Sequence, residues 1–299
     1  MKNKEDIVVV GSVAFDDIQT IKGNQKRLLG GSGTYFSIAA SLFSKVHLVG
    51  VVGEDFDSSY MELFNSKSIS TKYLSQETGK TFHWGGVYSD DFSTRDTLFT
   101  ELGVFENFNP QIKNQDFNNP ILFLANIQPS LQIAVLNQID SASLIVMDTM
   151  NLWIDNNYDE LIKVIKKVDI LFLNDEEAIQ LTGNNNINEI AEKFLTMGPN
   201  IVIIKLGSKG ALLATKNSKT HISVVPNTTV IDPTGAGDSF AGGTLGYIAR
   251  HGLKEMINAV KHGTTIASYT VSNFGINNLS NIQQEDFNQK LSLIKVTDS

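Results

Sequence analysis

The chain of 299 residues contains no cysteine, which excludes disulfides, thiolate catalysis and zinc–sulfur centres. Its 6 prolines are scattered, so no Pro-rich linker divides it. No stretch approaches the roughly 18 uninterrupted apolar residues that a membrane helix requires. The opening MKNKEDIVVVGSV has too short an apolar run for a secretory signal, and charges interrupt it. A cytoplasmic home is therefore expected, and the sequons at Asn227 and Asn278 carry little weight. Positive charge is also scarce: 24 basic against 32 acidic residues give a formal charge of −8. Such a surface repels phosphate backbones, so neither nucleic acid nor membrane is expected as a partner, although backbone dipoles can still hold a small anion. The 5 histidines show no metal-ligand spacing, and no HExxH occurs.

What is present is an ordinary globular composition, 41% apolar and 19% charged. Short runs that are apolar at nearly every position predict strands over 7–13, 46–53, 121–125, 144–148, 170–174 and 201–206. Continuous rather than alternating apolarity suits a parallel sheet covered on both faces. Helical patterns lie between them, at 34–43, 58–66, 131–139, 158–168, 176–181 and 188–197. More helices follow Asp238, at 239–251, 253–272 and 285–294. Alternating strand and helix predicts a doubly wound, mostly parallel α/β sheet flanked by helices, one domain over 1–299. Segments 80–89 and 94–102 alternate in polarity and read as a hairpin joined by Asp90, Asp91 and Phe92. With a short strand at about 17–22, they predict a small antiparallel β lid from 17–22 and 80–102.

Three glycine motifs fail. Gly79-Lys80-Thr81 resembles the end of a P-loop, but Leu74 stands where its first glycine belongs. Gly31-Ser-Gly33 and Gly235-Ala-Gly237 each begin a dinucleotide fingerprint and end on Phe36 or Phe240. The motif that holds is VIDPTGAGDSFAGG, residues 230–243. A strand-like pair stops at Asp232-Pro233, three small residues follow, and a helical run starts at Asp238. Small residues let backbone N–H groups converge, and the helix N-terminus adds partial positive charge, so an anion fits there. Asp238 would stand beside it, its ionised form favoured by the helix terminus; the plainer reading is that Asp238 caps the helix.

DPTGAGDSFAGG resembles the carboxy-terminal signature of the PfkB, or ribokinase-like, carbohydrate kinases, with Pro233 where threonine is common. LGGSGTYFSIAASLF resembles the di-glycine element of that family, and VHLVGVVGEDFDSSY its strand, Gly-Glu-Asp and helix. Asn174-Asp-Glu-Glu177 is similar to the N-x-x-E motif, and IIKLGSKGAL to the strand and glycine turn beside ATP. The resemblance implies an ATP-dependent kinase acting on a sugar, related polyol or nucleoside, with Asp238 as base. Gly235, Ala236 and Gly237 would form a backbone anion hole. Asp16, Gly31, Asp148 and Asn151 would meet the acceptor. Asn174, Glu177, Lys205 and Gly207 would serve the nucleotide, the first two placing Mg²⁺ through water. It further allows a monovalent cation such as K⁺, and a homodimer through the lid. Trp84 and Arg95 on the flap are further candidates for the acceptor.

One departure bears on specificity. Sugar-type members place an asparagine shortly after the di-glycine, where this chain has Thr34, Tyr35 and Phe36. A ketose derivative, a cyclitol, or a nucleoside stacking on an aromatic ring fits that change. A nucleoside kinase and a catalytically inactive sugar- or nucleotide-binding regulator stand as alternatives. A Rossmann oxidoreductase is disfavoured by the failed fingerprints.

Overall fold

The computed structural model describes residues 5–298, so 1–4 and Ser299 of the expected unit lie outside it. The chain opens with β1 (Ile7–Val10), β2 (Ala14–Thr20), β3 (Gly23–Gly30), α1 (Ser32–Ser41), β4 (Val46–Gly53), α2 (Ser58–Ser66) and β5 (Ile69–Glu77). Next come β6 (Phe82–Tyr88), β7 (Arg95–Glu101), β8 (Ile121–Leu124), α3 (Pro129–Leu136), β9 (Leu144–Met147), α4 (Asn151–Asn156) and α5 (Tyr158–Ile165). The third stretch holds β10 (Ile170–Asn174), α6 (Asp175–Thr182), α7 (Ile187–Met197), β11 (Ile201–Lys205), β12 (Ala211–Thr215) and β13 (Lys219–Ile222). It closes with α8 (Ala236–His251), α9 (Met256–Thr270), α10 (Gln284–Ser292) and β14 (Val296–Asp298).

Ten strands form one sheet in the order β14-β13-β12-β11-β10-β9-β8-β1-β4-β5. Neighbours from β5 to β11 run parallel, and β12, β13 and β14 add an antiparallel edge. Both faces are covered, which is why the central strands are apolar at nearly every position. Ile7 and Val9 of β1 join a core with Phe36, Leu245 and Ile266 of α1, α8 and α9. Val8 and Val10 face the opposite way, against Val135, Leu161 and Ile190 of α3, α5 and α7. Fully burying such side chains contributes roughly 1.5–3 kcal/mol each. The carboxyl ends of β1, β8, β9, β10 and β11 share one edge. β1 lies between β4 and β8, at the switch point where α/β sheets place their ligands.

A second sheet, in the order β3-β2-β6-β7, consists of two antiparallel hairpins joined by a parallel β2–β6 pair. In the β6–β7 turn the Asp91 carboxylate accepts from the Ser93 N–H and from the Ser89 and Ser93 hydroxyls. β3 was not expected, because GNQKRLLG is mostly polar and exposed. β5, β12, β13 and β14 were likewise missed. The first strand stops at Val10 rather than residue 13, since Gly11 turns against α1: a Cβ there would lie 2.8 Å from the Gly33 nitrogen.

The Gly-Glu-Asp element forms the joint between the sheets. The Asp55 carboxylate accepts from the Thr81 N–H and hydroxyl, both at 2.8 Å, and from Arg27 at 3.3 Å. Arg27 belongs to β3 and Thr81 immediately precedes β6, so one carboxylate ties both hairpins of the small sheet to the end of β4. Partial burial opposes its ionisation, but the bonds from Thr81 prevail and hold its pKa below the ordinary value.

Candidate active site

The loop before α8 is held by Asp232, which is buried and accepts from the Thr234 N–H at 2.9 Å and the Gly275 N–H at 3.2 Å. Gly235 follows in the left-handed region, φ 74°, as the residue that starts the helix. It must be glycine twice over, for a Cβ would stand 2.3 Å from the Tyr35 ring. The Ala236 N–H is taken by the Pro233 carbonyl at 3.2 Å. Among the described residues no backbone acceptor takes the Gly235 or Gly237 N–H, so these two are the open donors of the turn. Asp238 comes third in the helix, where its own backbone N–H supports the carboxylate.

Asp238 also departs from the expected ionisation. Burial, and then the Asp148 carboxylate, push its pKa up to about 6, against the pull of Lys205. The helix terminus favours the carboxylate, but desolvation and a like charge outweigh it. At pH 7 the group is still mostly ionised, and a pKa near the working pH suits a proton acceptor.

Across the pocket stands Asp16 of β2, 4% exposed. Burial, then Asp232 and Asp238, raise its pKa to about 8. Its carboxylate fills the space beside Gly30, where a Cβ would lie 1.9 Å from Oδ2. Gly31 adopts φ 91°, and its Cβ would lie 2.5 Å from the Ser12 carbonyl oxygen, so glycine is needed for the chain to enter α1. Tyr35 is buried with no partner for its hydroxyl among the described residues. Burial and the Asp16 and Asp232 carboxylates hold its phenol well above the ordinary value.

The small sheet supplies the remaining wall. Register sets Trp84 beside Asp16 and Arg95 beside Tyr88. The Arg95 guanidinium lies 5.1 Å from the Trp84 ring centroid, and the Tyr88 hydroxyl meets the Thr234 hydroxyl at 3.0 Å. Thr20 of β2 also donates to the Ile231 carbonyl at 3.0 Å, so this sheet touches the loop of the GAGD motif twice. Sequence reading named Trp84 and Arg95 but missed Tyr88 and Asp232. The step from Trp84 to Tyr88, on one face of an alternating strand, could have revealed the first.

Three parallel strands end in charge or amide on the other flank: Asp148 after β9, Asn174 on β10 and Lys205 on β11. Lys205 Nζ lies 2.7 Å from Asp148 Oδ2 and 3.1 Å from where a Cβ on Gly237 would be. Asn174 and Glu177 form a reciprocal capping box: the Asn174 N–H and side-chain amide each donate to Glu177, and the Glu177 N–H donates back at 2.8 Å. Burial, and then Asp148, raise the Glu177 pKa to about 7. Among the described residues no cluster of three acidic or histidine side chains could hold a metal.

The structure thus brings Asp16 and Gly31 towards Asp238 on the Gly235-Ala236-Gly237 turn, and brings Asp148, Asn174, Glu177 and Lys205 to the same turn from the sheet edge, where Lys205 reaches Gly237. It does not bring Asn151 in, since that amide donates to Gln180 of α6 at 2.7 Å. Gly207 opens the turn after β11 with φ 55°, and its Cβ direction faces open space.

The family model described as pfkB family carbohydrate kinase matches residues 4–283. The cytidine kinase of Thermococcus kodakarensis is 27% identical, covering 84% of this chain and 92% of its own. The solved nucleoside kinase of Methanocaldococcus jannaschii superposes with a TM-score of 0.78 at 23% identity, over 96% of this chain and 98% of its own. A fructokinase from Vibrio cholerae, solved with fructose, ADP and calcium ion, gives 0.77 at 21% identity over 96% and 99%.

Proposed function

The chain belongs to the pfkB family of carbohydrate kinases, phosphotransferases with an alcohol acceptor, and from this we propose that it transfers the γ-phosphoryl group of ATP to a hydroxymethyl group of a nucleoside. The observation that carries the kinase reading is Asp238, a carboxyl poised near neutrality on the helix turn that offers the open Gly235 and Gly237 N–H donors. In the reaction Asp238 takes the acceptor hydroxyl proton as the oxygen forms its bond to the γ-phosphorus. The bond to the bridging oxygen breaks and ADP leaves with that electron pair. The open N–H donors and the helix terminus hold the charge on the phosphoryl oxygens. Asp16 anchors the acceptor, and Lys205 with the Gly207 turn flanks the nucleotide.

Asn174 and Glu177 are oxygen donors committed to each other, so they would hold Mg²⁺ only through water. The ion would neutralise charge on the nucleotide phosphates. The small sheet acts as a lid whose inward face carries Trp84, Tyr88 and Arg95. Trp84 and Tyr88 favour a nucleoside, since rings stack on a base whereas a plain sugar asks for more hydroxyl partners; Tyr35 is buried under Gly235 and offers no free ring face. A second copy paired through this sheet and a cytoplasmic home belong to the same reading; no described helix is long and apolar enough to cross a membrane.

ADP release measured over a panel of nucleosides, sugars and cyclitols tests both levels. The expected result is the highest kcat/KM with a nucleoside. A sugar or cyclitol preferred over every nucleoside would move the acceptor class, and no phosphorylation of any member would leave a binding protein on a kinase fold.

A further inference from the structure

Lys205 is held by carboxylates, Asp148 first and then Glu177 and Asp238, against two features that oppose its charge. Its ammonium lies against the first turn of α8, close to Gly237, where the helix dipole repels a cation. Its side chain is only 18% exposed, so water does little to relieve that repulsion. Burial alone would lower its pKa, but Asp148 and then Glu177 outweigh burial and raise it above the ordinary value. Asp148, 4% exposed in its side chain, holds the ammonium at 2.7 Å from one side. Two positive features, an ammonium and a helix terminus with open N–H groups, therefore converge on one space. The Asp238 carboxylate on that turn also favours the ammonium, and a phosphoryl group would bring the further negative charge that these features can hold.

We propose that Lys205 is a catalytic cation that leaves Asp148 and follows the phosphoryl group during transfer, with Asp148 as its resting partner. The proposal rests on the kinase reading above and adds a role to it. Charge spreads over the three equatorial phosphoryl oxygens as the acceptor oxygen bonds to phosphorus and the bridging oxygen departs. Lys205 stays protonated throughout, since the acceptor proton goes to Asp238. A flexible four-carbon stem lets the ammonium swing by bond rotation alone.

The rival account is an ion pair that only completes the core. Lys205→Met loses stability on either account, because it leaves Asp148 buried and uncompensated. Lys205→Met combined with Asp148→Asn removes both charges, and here the accounts diverge. The expected result is that the double variant regains a near-wild-type Tm while kcat stays down by about 10²–10³-fold, with the KM for ATP changed far less. Asp148→Asn alone, which keeps the ammonium, is expected to retain at least about ten-fold more kcat than the double variant, and an equal loss in both would overturn the proposal. Recovery of turnover together with Tm in the double variant would overturn the proposal. Lys205→Gln, which preserves a hydrogen bond to Asp148 without the charge, is the second probe, and wild-type kcat in it would also overturn the proposal. A wild-type protein silent on the whole acceptor panel would instead bring down the kinase reading itself.

Discussion

Replacing Asp238 with asparagine separates catalysis from stability in a way that its environment makes quantitative. The variant keeps size and shape but removes the only group placed to take the acceptor proton, so kcat should fall by about 10²–10⁴-fold. Stability should move the opposite way. The Asp238 pKa is raised from 3.8 to about 6, which corresponds to on the order of 3 kcal/mol against the ionised form. Screening at the pocket mouth leaves ~1–2 kcal/mol of this. A raised acid contributes stability that is fully present below its unfolded pKa and is lost as pH rises through the folded one. The wild type therefore carries the penalty above pH 6 and not at pH 4. Asp238→Asn should melt a few degrees higher than wild type at pH 8, and the gap should close on acidification. Turnover by ADP release and Tm across pH 4–8 on the same preparations give both readouts, and the wild-type kcat/KM should rise with a midpoint near 6. Near-normal kcat would remove Asp238 as the base. A Tm gap that does not change with pH would refute the account of its environment.

The joint at Asp55 predicts that Thr81→Val, which deletes one of its three bonds, raises the acceptor KM by roughly five-fold and increases ATP hydrolysis without transfer. Comparing ADP with phosphorylated product tests this, and an unchanged ratio with unchanged KM would exclude a closing role for the small sheet. Gly31→Ala, at φ 91° with its Cβ 2.5 Å from the Ser12 oxygen, should lose more than ~3 kcal/mol in urea unfolding, and a loss below ~1 kcal/mol would show that the backbone there yields freely.

Much of the molecule is legible in the order of its residues. The strands β1, β4, β8, β9, β10 and β11 announce themselves because burial on both faces leaves few polar positions, His47 and the end residues Asn174 and Lys205 among them. Residues 230–243 are legible as a turn of small residues entering a helix, because that is a local device, complete within one segment. The small sheet was half visible: β6 and β7 alternate, while β3 carries a polar, exposed run over Asn24–Arg27 and gains its strand by pairing with β2. Asn174 and Glu177 show the limit of motif reading, since the same spacing of 3 serves the capping box seen here.

What the sequence determines by itself is the layered α/β architecture and the turn of small residues that starts α8, since periodicity and adjacent small residues act over a few positions. The tertiary structure decides the rest. Lys205 meets Asp148 across 57 residues, Tyr35 lies under Gly235, and Asp16 faces Asp232 and Asp238. Whether a carboxyl there holds its proton depends on how much water is excluded and which charges lie within a few ångströms. Those distances exist only once the sheet has brought remote strand ends to one edge.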